Sequence, residues 1–344
     1  MRTGLYVYWG ALGDHSRNVP GHPLYQVFAM DTLAELFQLD QLHFVSLYTD
    51  KVETSCNDVE FYIQHEKRSL ILQRLNVKII SFTEALKHID AYEAVFLKAR
   101  FRNKSRLEEK SYDALKFEKL YAVSDPESTY IIDSDGELPL NFFDNRPSHL
   151  LTYFRDHDFY TAYTSSPLSI QTISPALTRH FSTSVRTIPE IDLMFIGNEG
   201  LKDPTLGSWL HQLHEDHFKV CVQGKWNARY PFEILPRTAR QQAYKNFENS
   251  LATLQLSKAK YQQYDFLSPR IYEAHICGLP VFTLPGSSAS TTFLQVESYR
   301  ELAEKLRCLR DGFARDYKVV IGEQKNKLAQ LETTLYKNFT ASPS

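Results

Sequence analysis

The densest chemistry in the chain lies between Tyr264 and Phe282. The run Asp265-Phe266-Leu267-Ser268-Pro269-Arg270-Ile271-Tyr272-Glu273 contains Ser268, a good helix N-cap, with Pro269 at the first helical position. Arg270 then falls in the first helical turn, and Glu273 lies three residues on, on the same face. A helix N-terminus with an arginine is an anion site suited to a diphosphate. A carboxylate one turn further in can accept hydrogen bonds from a ribose diol. The same two residues also fit an ordinary surface ion pair, worth a few tenths of a kcal/mol. Spacing alone leaves both readings open.

A second candidate is Ile132-Asp133-Ser134-Asp135-Gly136-Glu137-Leu138-Pro139, which follows a β-rich run. A carboxylate at the C-terminal end of a strand could take the proton from an acceptor hydroxyl. Asp133-Ser134-Asp135 is also an Asp-x-Asp that could hold a metal–nucleotide pair, and Asp and Gly are common turn residues. A third candidate is Leu97–Arg106. There Lys98, Arg100, Arg102, Lys104 and Arg106 give five positive charges in ten residues with no acid. Cations interleaved with Phe101 suit phosphate-backbone contact and base stacking. The alternative is a solvated loop balanced by Glu108 and Glu109. His211, His214 and His217 recur beside Glu215 and Asp216, and read as an exposed helix end rather than a metal site.

The elements that must position these residues alternate. Leu5–Trp9, Leu42–Tyr48, Val77–Ser81, Ala94–Ala99 and Thr129–Asp133 read as strands, with helical patterns over Pro23–Phe37 and Asp58–Leu75. Residues 165–190 are rich in Ser, Thr and Pro and read as a connection between domains. Alternation resumes with Ile191–Gly197, Phe218–Gly224, Leu251–Leu256 and Leu279–Leu284, and the tail from about Ser298 to Asn338 reads as helix. Strands alternating with helices predict parallel sheets, which bind ligands outside the carboxyl ends of their strands.

With 344 residues the chain is long enough for two domains. Its 43% apolar and 23% charged residues predict a folded protein. A net charge of -2 gives no whole-molecule attraction to nucleic acid or anionic membrane, which leaves a local basic face open. Four scattered cysteines without CxxC spacing argue against a zinc ribbon or a disulfide framework. No apolar run approaches the roughly 20 residues that span a bilayer. The N-terminus passes straight into a strand, with no signal peptide pattern. A cytoplasmic location, no membrane partner and a monomer are the expectations.

The run from Asp265 to Glu273 resembles the nucleotide-sugar segment of the bacteriophage DNA β-glucosyltransferases, GT-B enzymes that move glucose from UDP-glucose onto hydroxymethylated cytosine in duplex DNA. The resemblance assigns diphosphate contact to Arg270 and ribose contact to Glu273. Aligned on Leu138-Pro139, it places the catalytic aspartate at Asp135. Leu193-Met194-Phe195-Ile196-Gly197-Asn198 resembles the strand and glycine loop that open the second domain, and Val222-Gln223-Gly224-Lys225 the next strand end, beside the nucleotide base. Arginines follow the first of these loops in the family, where this chain offers Lys202. Val19-Pro20 resembles an N-terminal loop of the family, but Gly21, His22 and Pro23 stand where a carboxylate follows, so the sugar is left open.

The resemblance thus implies an α/β fold of GT-B type, two Rossmann-like parallel-sheet domains facing across a cleft. Expected boundaries are 1–165 for the N-terminal acceptor and DNA-binding domain, 166–190 for the linker, 191–315 for the nucleotide-sugar domain, and 316–344 for a C-terminal helix packing back toward the N-terminal domain. The implied activity is inverting transfer from a nucleotide sugar, a UDP-sugar first, to the hydroxymethyl group of 5-hydroxymethylcytosine or 5-hydroxymethyluracil in double-stranded DNA, with the target base flipped out of the stack. Asp135 is the expected base. The donor site is expected at Arg270, Glu273, Gly197, Asn198, Lys202 and Gly224, and the DNA site at Lys98, Arg100, Arg102, Lys104 and Arg106. No permanently bound cofactor or metal is expected, and Mg2+ or Mn2+ is left open as an activator. The alternatives are a GT-B enzyme acting on a surface glycan, lipid or small molecule, and a catalytically inactive binding protein.

Overall fold

A computed structural model describes residues 1–8, 23–47, 71, 73–98, 112–182, 188–197, 205–227, 229–235, 245–255, 259–284, 294–337 and 339. The chain divides into two units: residues 1–176 with 335–344, and residues 177–334.

The first unit contains β1 (Thr3–Tyr8), α1 (Pro23–Leu36), β2 (Gln41–Ser46), β3 (Lys78–Ile79), α2 (Phe82–Lys87), β4 (Ala94–Lys98), α3 (Tyr112–Val123), β5 (Thr129–Asp133), β6 (His149–Thr152) and β7 (Ser169–Thr172). The strands form one sheet in the order β3-β2-β1-β4-β5-β6-β7, every pairing parallel. All five residues of β4 and of β5 are buried. That explains why these strands read as continuous apolar runs rather than alternating ones. Val27–Ala34 of α1 are buried without a break, Asp31 and Thr32 included, so this helix lies within the core. Phe37, Phe96 and Tyr130 pack ring on ring at 4.6 to 5.7 Å, and each such burial contributes about 1.5–3 kcal/mol.

The second unit contains β8 (Ile191–Ile196), α4 (Thr205–Glu215), β9 (Val220–Gln223), β10 (Glu233–Leu235), β11 (Ser250–Gln255), α5 (Ala259–Gln263), α6 (Pro269–Ile276), β12 (Val281–Thr283), β13 (Leu294–Gln295), α7 (Tyr299–Asp311) and α8 (Phe313–Tyr336). Its sheet runs β10-β9-β8-β11-β12-β13, again all parallel. Numbered from β8, this is the doubly wound order 3-2-1-4-5-6. Leu193, Phe195, Leu210, Leu254, Phe282 and Leu306 are among its buried core residues. α7 begins on Ser298, whose hydroxyl accepts from Glu301 N at 3.2 Å, while Glu301 accepts from Glu297 N at 2.7 Å.

Every strand read from the sequence is present, although most of the helical pattern over 58–75 lies outside the described residues. The boundaries differ. Residues 166–190, expected as a linker, contain β7, which pairs with β6 from Ser169↔His149 to Thr172↔Thr152 and extends the first unit to Ala176. Its residues Ser, Ile, Gln and Thr are half-buried at a sheet edge, so they carry too little apolar signal to read as a strand. β6, only four residues long, is likewise absent from the sequence reading.

The tail, expected as a separate helix from 316, begins as α8 at Phe313 and belongs to the second unit through Thr334. There Gln324 pairs with both Val281 N and Val281 O, at 3.1 and 2.9 Å. From Leu335 onward it belongs to the first unit, where Tyr336 Oη accepts from Ser174 N at 2.8 Å and the Phe339 ring lies 5.4 Å from Phe37.

Candidate active site

In each all-parallel sheet the carboxyl ends of the strands share one edge. In the first unit that edge carries Lys98 at the end of β4, Asp133 at the end of β5 and Thr152 at the end of β6.

The two aspartates after β5 have opposite environments. Asp133 is 5% exposed, whereas Asp135 is exposed in the loop beyond it. Asp133 Oδ1 accepts from the backbone N–H of Asp135 at 3.3 Å and of Glu137 at 3.1 Å. Its Oδ2 accepts from the Tyr160 hydroxyl at 3.0 Å. The Thr152 hydroxyl lies 2.7 Å from that of Tyr160, in register with Asp133 across β5 and β6. Gly136 takes φ 62°, a left-handed conformation that a side chain disfavours, and so turns the loop tightly over the strand end. Leu138 is buried, and its carbonyl accepts from the Tyr163 hydroxyl at 2.9 Å.

Burial pushes the Asp133 carboxyl above the usual carboxylate range. The hydrogen bonds from Glu137 N, Tyr160 and Asp135 N pull it back, and the charge of Asp135 adds a smaller upward push. Burial and the neighbouring Asp133 also hold the Tyr160 hydroxyl well above its ordinary value, so it remains a proton donor. Both oxygens of Asp133 are thus engaged by protein donors. Among the described residues, no cluster of three His, Cys, Asp or Glu side chains could hold a metal ion, the histidines of 211–217 included.

Lys98, expected as a DNA contact, is 3% exposed. It is the last residue of a strand covered on both faces, paired in register with Tyr8 of β1, and its ammonium lies 5.5 Å from the centre of the Tyr153 ring. Burial lowers its pKa to about 8, against the attraction of Asp135 and Asp133. Buried in this way it is no contact for a DNA phosphate. Arg100, Arg102, Lys104 and Arg106 lie outside the described residues.

The corresponding edge of the second unit carries the residues expected at the donor site. A crossover helix runs antiparallel to its strands, so α6, between β11 and β12, begins at the carboxyl edge. Ser268 is its N-cap residue, with Pro269 in the first turn; its hydroxyl makes no capping hydrogen bond. Arg270 Nη1 lies 3.6 Å from Glu273 Oε2, with the arginine side chain 31% exposed and the glutamate 6%. The pair is therefore no fully solvated surface contact: the carboxylate is buried and the arginine side chain is only partly exposed. Phe266 stacks on Tyr261 with ring centres 4.2 Å apart, which anchors the segment leading into the helix.

Gly197 N donates to Gln223 O at 2.9 Å, and Gly197 O accepts from the Trp226 indole N–H at 2.8 Å. The ends of β8 and β9 are thus tied together. Gly224 takes φ 150°, which favours glycine. Asn198 and Lys202 lie outside the described residues, as does the Ser/Thr-rich segment 286–292. Sequence reading misses Tyr160 and Trp226. Their partners lie 27 and 29 residues away, so no local spacing marks them.

The model of a family described as glycosyl transferase-like matches residues 183–320, which include Gly197, Gly224, Arg270 and Glu273. No curated protein matches the chain. Among solved structures, a variant of the T4 phage β-glucosyltransferase in complex with UDP-glucose is similar over 100% of both chains, at 12% identity and a TM-score of 0.66. The T4 phage enzyme in complex with UDP and Mn2+ is similar over 98% of both, at 13% identity and 0.63. A glycosyltransferase of avilamycin A biosynthesis is similar over 98% of this chain and 96% of its own, at 10% identity and 0.54. The fold is the two-sheet α/β arrangement of GT-B glycosyltransferases, and the resemblance read from the motifs extends to the whole fold. The chain is similar in fold to these glycosyltransferases, and residues 183–320 match the glycosyl transferase-like family.

Proposed function

We propose that the protein transfers a sugar, with inversion, from a UDP-sugar to the hydroxymethyl group of a modified pyrimidine in double-stranded DNA. The observation that carries this reading is the pair of unequal carboxylates after β5: Asp133 is buried and engaged, and Asp135 is exposed on the loop that Asp133 holds. Asp135 accepts the proton of the acceptor hydroxyl, whose oxygen then attacks the anomeric carbon while the bond to the diphosphate breaks. Negative charge grows on the leaving diphosphate. Arg270, anchored by Glu273 and standing in the first turn of α6, stabilises that charge together with the helix N-terminus. Glu273 also accepts from the ribose hydroxyls. The glycine loops at Gly197 and Gly224 let the nucleotide approach the backbone, and the Trp226 indole holds the first of them.

The DNA acceptor draws its support from full-length likeness in fold to a DNA-modifying enzyme and from the basic run 98–106. The buried Lys98 takes no part in DNA contact in this reading, which leaves Arg100, Arg102, Lys104 and Arg106 as the cations offered to phosphate. The base must leave the stack for its hydroxymethyl group to reach Asp135.

The test incubates the protein with a panel of UDP-sugars and three duplexes: unmodified, hydroxymethylcytosine-containing and hydroxymethyluracil-containing. The DNA is then digested and its nucleosides weighed. A gain of one sugar mass on one modified base is the expected result. UDP release onto a glycan or small-molecule acceptor, with no gain on any duplex, refutes the DNA acceptor and retains the transferase. Asp135→Asn should abolish transfer while leaving UDP affinity intact; near-normal turnover would refute Asp135 as the base.

A further inference from the structure

Taking Asp135 as the general base, as in the reading above, we propose that Asp133 is the positioning residue for that base. Its buried carboxylate clamps the 134–139 loop from beneath and thereby sets where Asp135 presents its own carboxylate.

The geometry is that of a clamp. One oxygen takes the two amides that bracket the turn, Asp135 N at 3.3 Å and Glu137 N at 3.1 Å. The other oxygen takes the Tyr160 hydroxyl at 3.0 Å, which fixes the plane of the carboxylate. Tyr160 stands in a 3-10 turn over His157–Ala162 and is itself held by Thr152 at 2.7 Å. The donors run in one direction, from the Thr152 hydroxyl to Tyr160 and from Tyr160 to Asp133. The Thr152 oxygen in turn accepts from Phe154 N at 3.2 Å. The loop between the two bracketing amides contains Gly136 at φ 62°, so the turn is tight and Asp135 sits at its exposed side. A carboxylate that accepts three hydrogen bonds while buried is ill placed to take a proton from a substrate but well placed to hold a loop. Burial drives its pKa upward, and the three hydrogen bonds to the carboxylate pull it back.

The test uses the full-length protein and the variants Asp133→Ala, Asp133→Asn and Tyr160→Phe, with Asp135→Asn as the reference. One arm measures transfer from UDP-glucose to a hydroxymethylcytosine duplex, with UDP affinity by calorimetry. The other measures amide hydrogen exchange over 134–139 and needs neither donor nor acceptor.

Asp133→Ala should speed exchange in the loop without speeding it in β5 or β6, and should lower kcat by roughly 100-fold with UDP affinity unchanged. Asp133→Asn keeps an oxygen for both amides and should recover most of the rate. Tyr160→Phe should fall between. Unchanged loop exchange in Asp133→Ala overturns the proposal, as does exchange raised equally through the sheet. If Asp133→Ala does not fold, Tyr160→Phe with wild-type loop exchange overturns it instead. Wild-type transfer by Asp135→Asn would refute the base reading alone, because the exchange arm still decides whether Asp133 holds the loop.

Discussion

Replacing Lys98 by methionine should make the protein more stable at neutral pH. Lys98 is 3% exposed, and its pKa falls from the ordinary 10.5 to about 8, chiefly through burial. Each tenfold loss of proton affinity corresponds to about 1.4 kcal/mol, so the buried ammonium costs the fold about 3 kcal/mol. Methionine keeps an unbranched stem of similar length against Tyr153 and carries no charge. The cost depends on pH. Below pH 8 the lysine is protonated both folded and unfolded, and the full cost applies. Between pH 8 and 10.5 the folded protein has released the proton while the unfolded chain still binds it, so wild-type stability gains with rising pH from this group. Above 10.5 both states are neutral and the advantage of methionine is gone.

Urea unfolding of both proteins at about pH 7, 9 and 10.5 measures this, because groups common to the two cancel in the difference. An advantage of about 3 kcal/mol at neutral pH that shrinks across this window is the expected result. No advantage at neutral pH, or the same advantage at all three pH values, would rule out a penalty for the buried charge. An ammonium kept at such a cost beside Asp133 and Asp135 argues that its charge is used there.

Under the proposed function, in which the Arg270 guanidinium meets charge that grows in the transition state, Arg270→Ala should lower kcat roughly 100-fold or more while donor binding weakens far less. Steady-state kinetics with calorimetric UDP affinity separates the two effects, and equal losses in both would place Arg270 in ground-state binding only. Gly136→Ala forces a side chain into φ 62° and should cost about 1–2 kcal/mol, read as a fall in urea midpoint, with a loss of kcat beyond any loss of UDP affinity. Trp226→Phe removes the indole donor from Gly197 O but keeps most of the packing on Phe195 and Phe232. UDP affinity should fall several-fold with little change in unfolding midpoint, and an unchanged affinity would remove the Gly197 loop from the donor site.

What local pattern encodes is legible in the sequence. β1, β2, β4, β5, β8, β9 and β11 announce themselves as apolar runs, and Ser268-Pro269 marks the start of α6 where it lies. β6 and β7 stay hidden because strands of four residues, here His-Leu-Leu-Thr and Ser-Ile-Gln-Thr, carry too few apolar positions to show a period. Lys98 is misread for a different reason. A strand buried on both faces has no alternation to tell its inner residues from its outer ones, so a lysine closing β4 looks like the first member of the basic run that follows it. The same limit applies to the two aspartates. Asp133 and Asp135 stand two apart in a sequence that suits a base first, and a metal pair or a plain turn as alternatives. Their environments separate only through the two amides of the loop and a tyrosine hydroxyl 27 residues away, which engage one carboxylate in hydrogen bonds, while the other is exposed. Residue type and spacing can nominate a catalytic carboxylate, but the choice between two neighbours belongs to the fold that lets one of them be held.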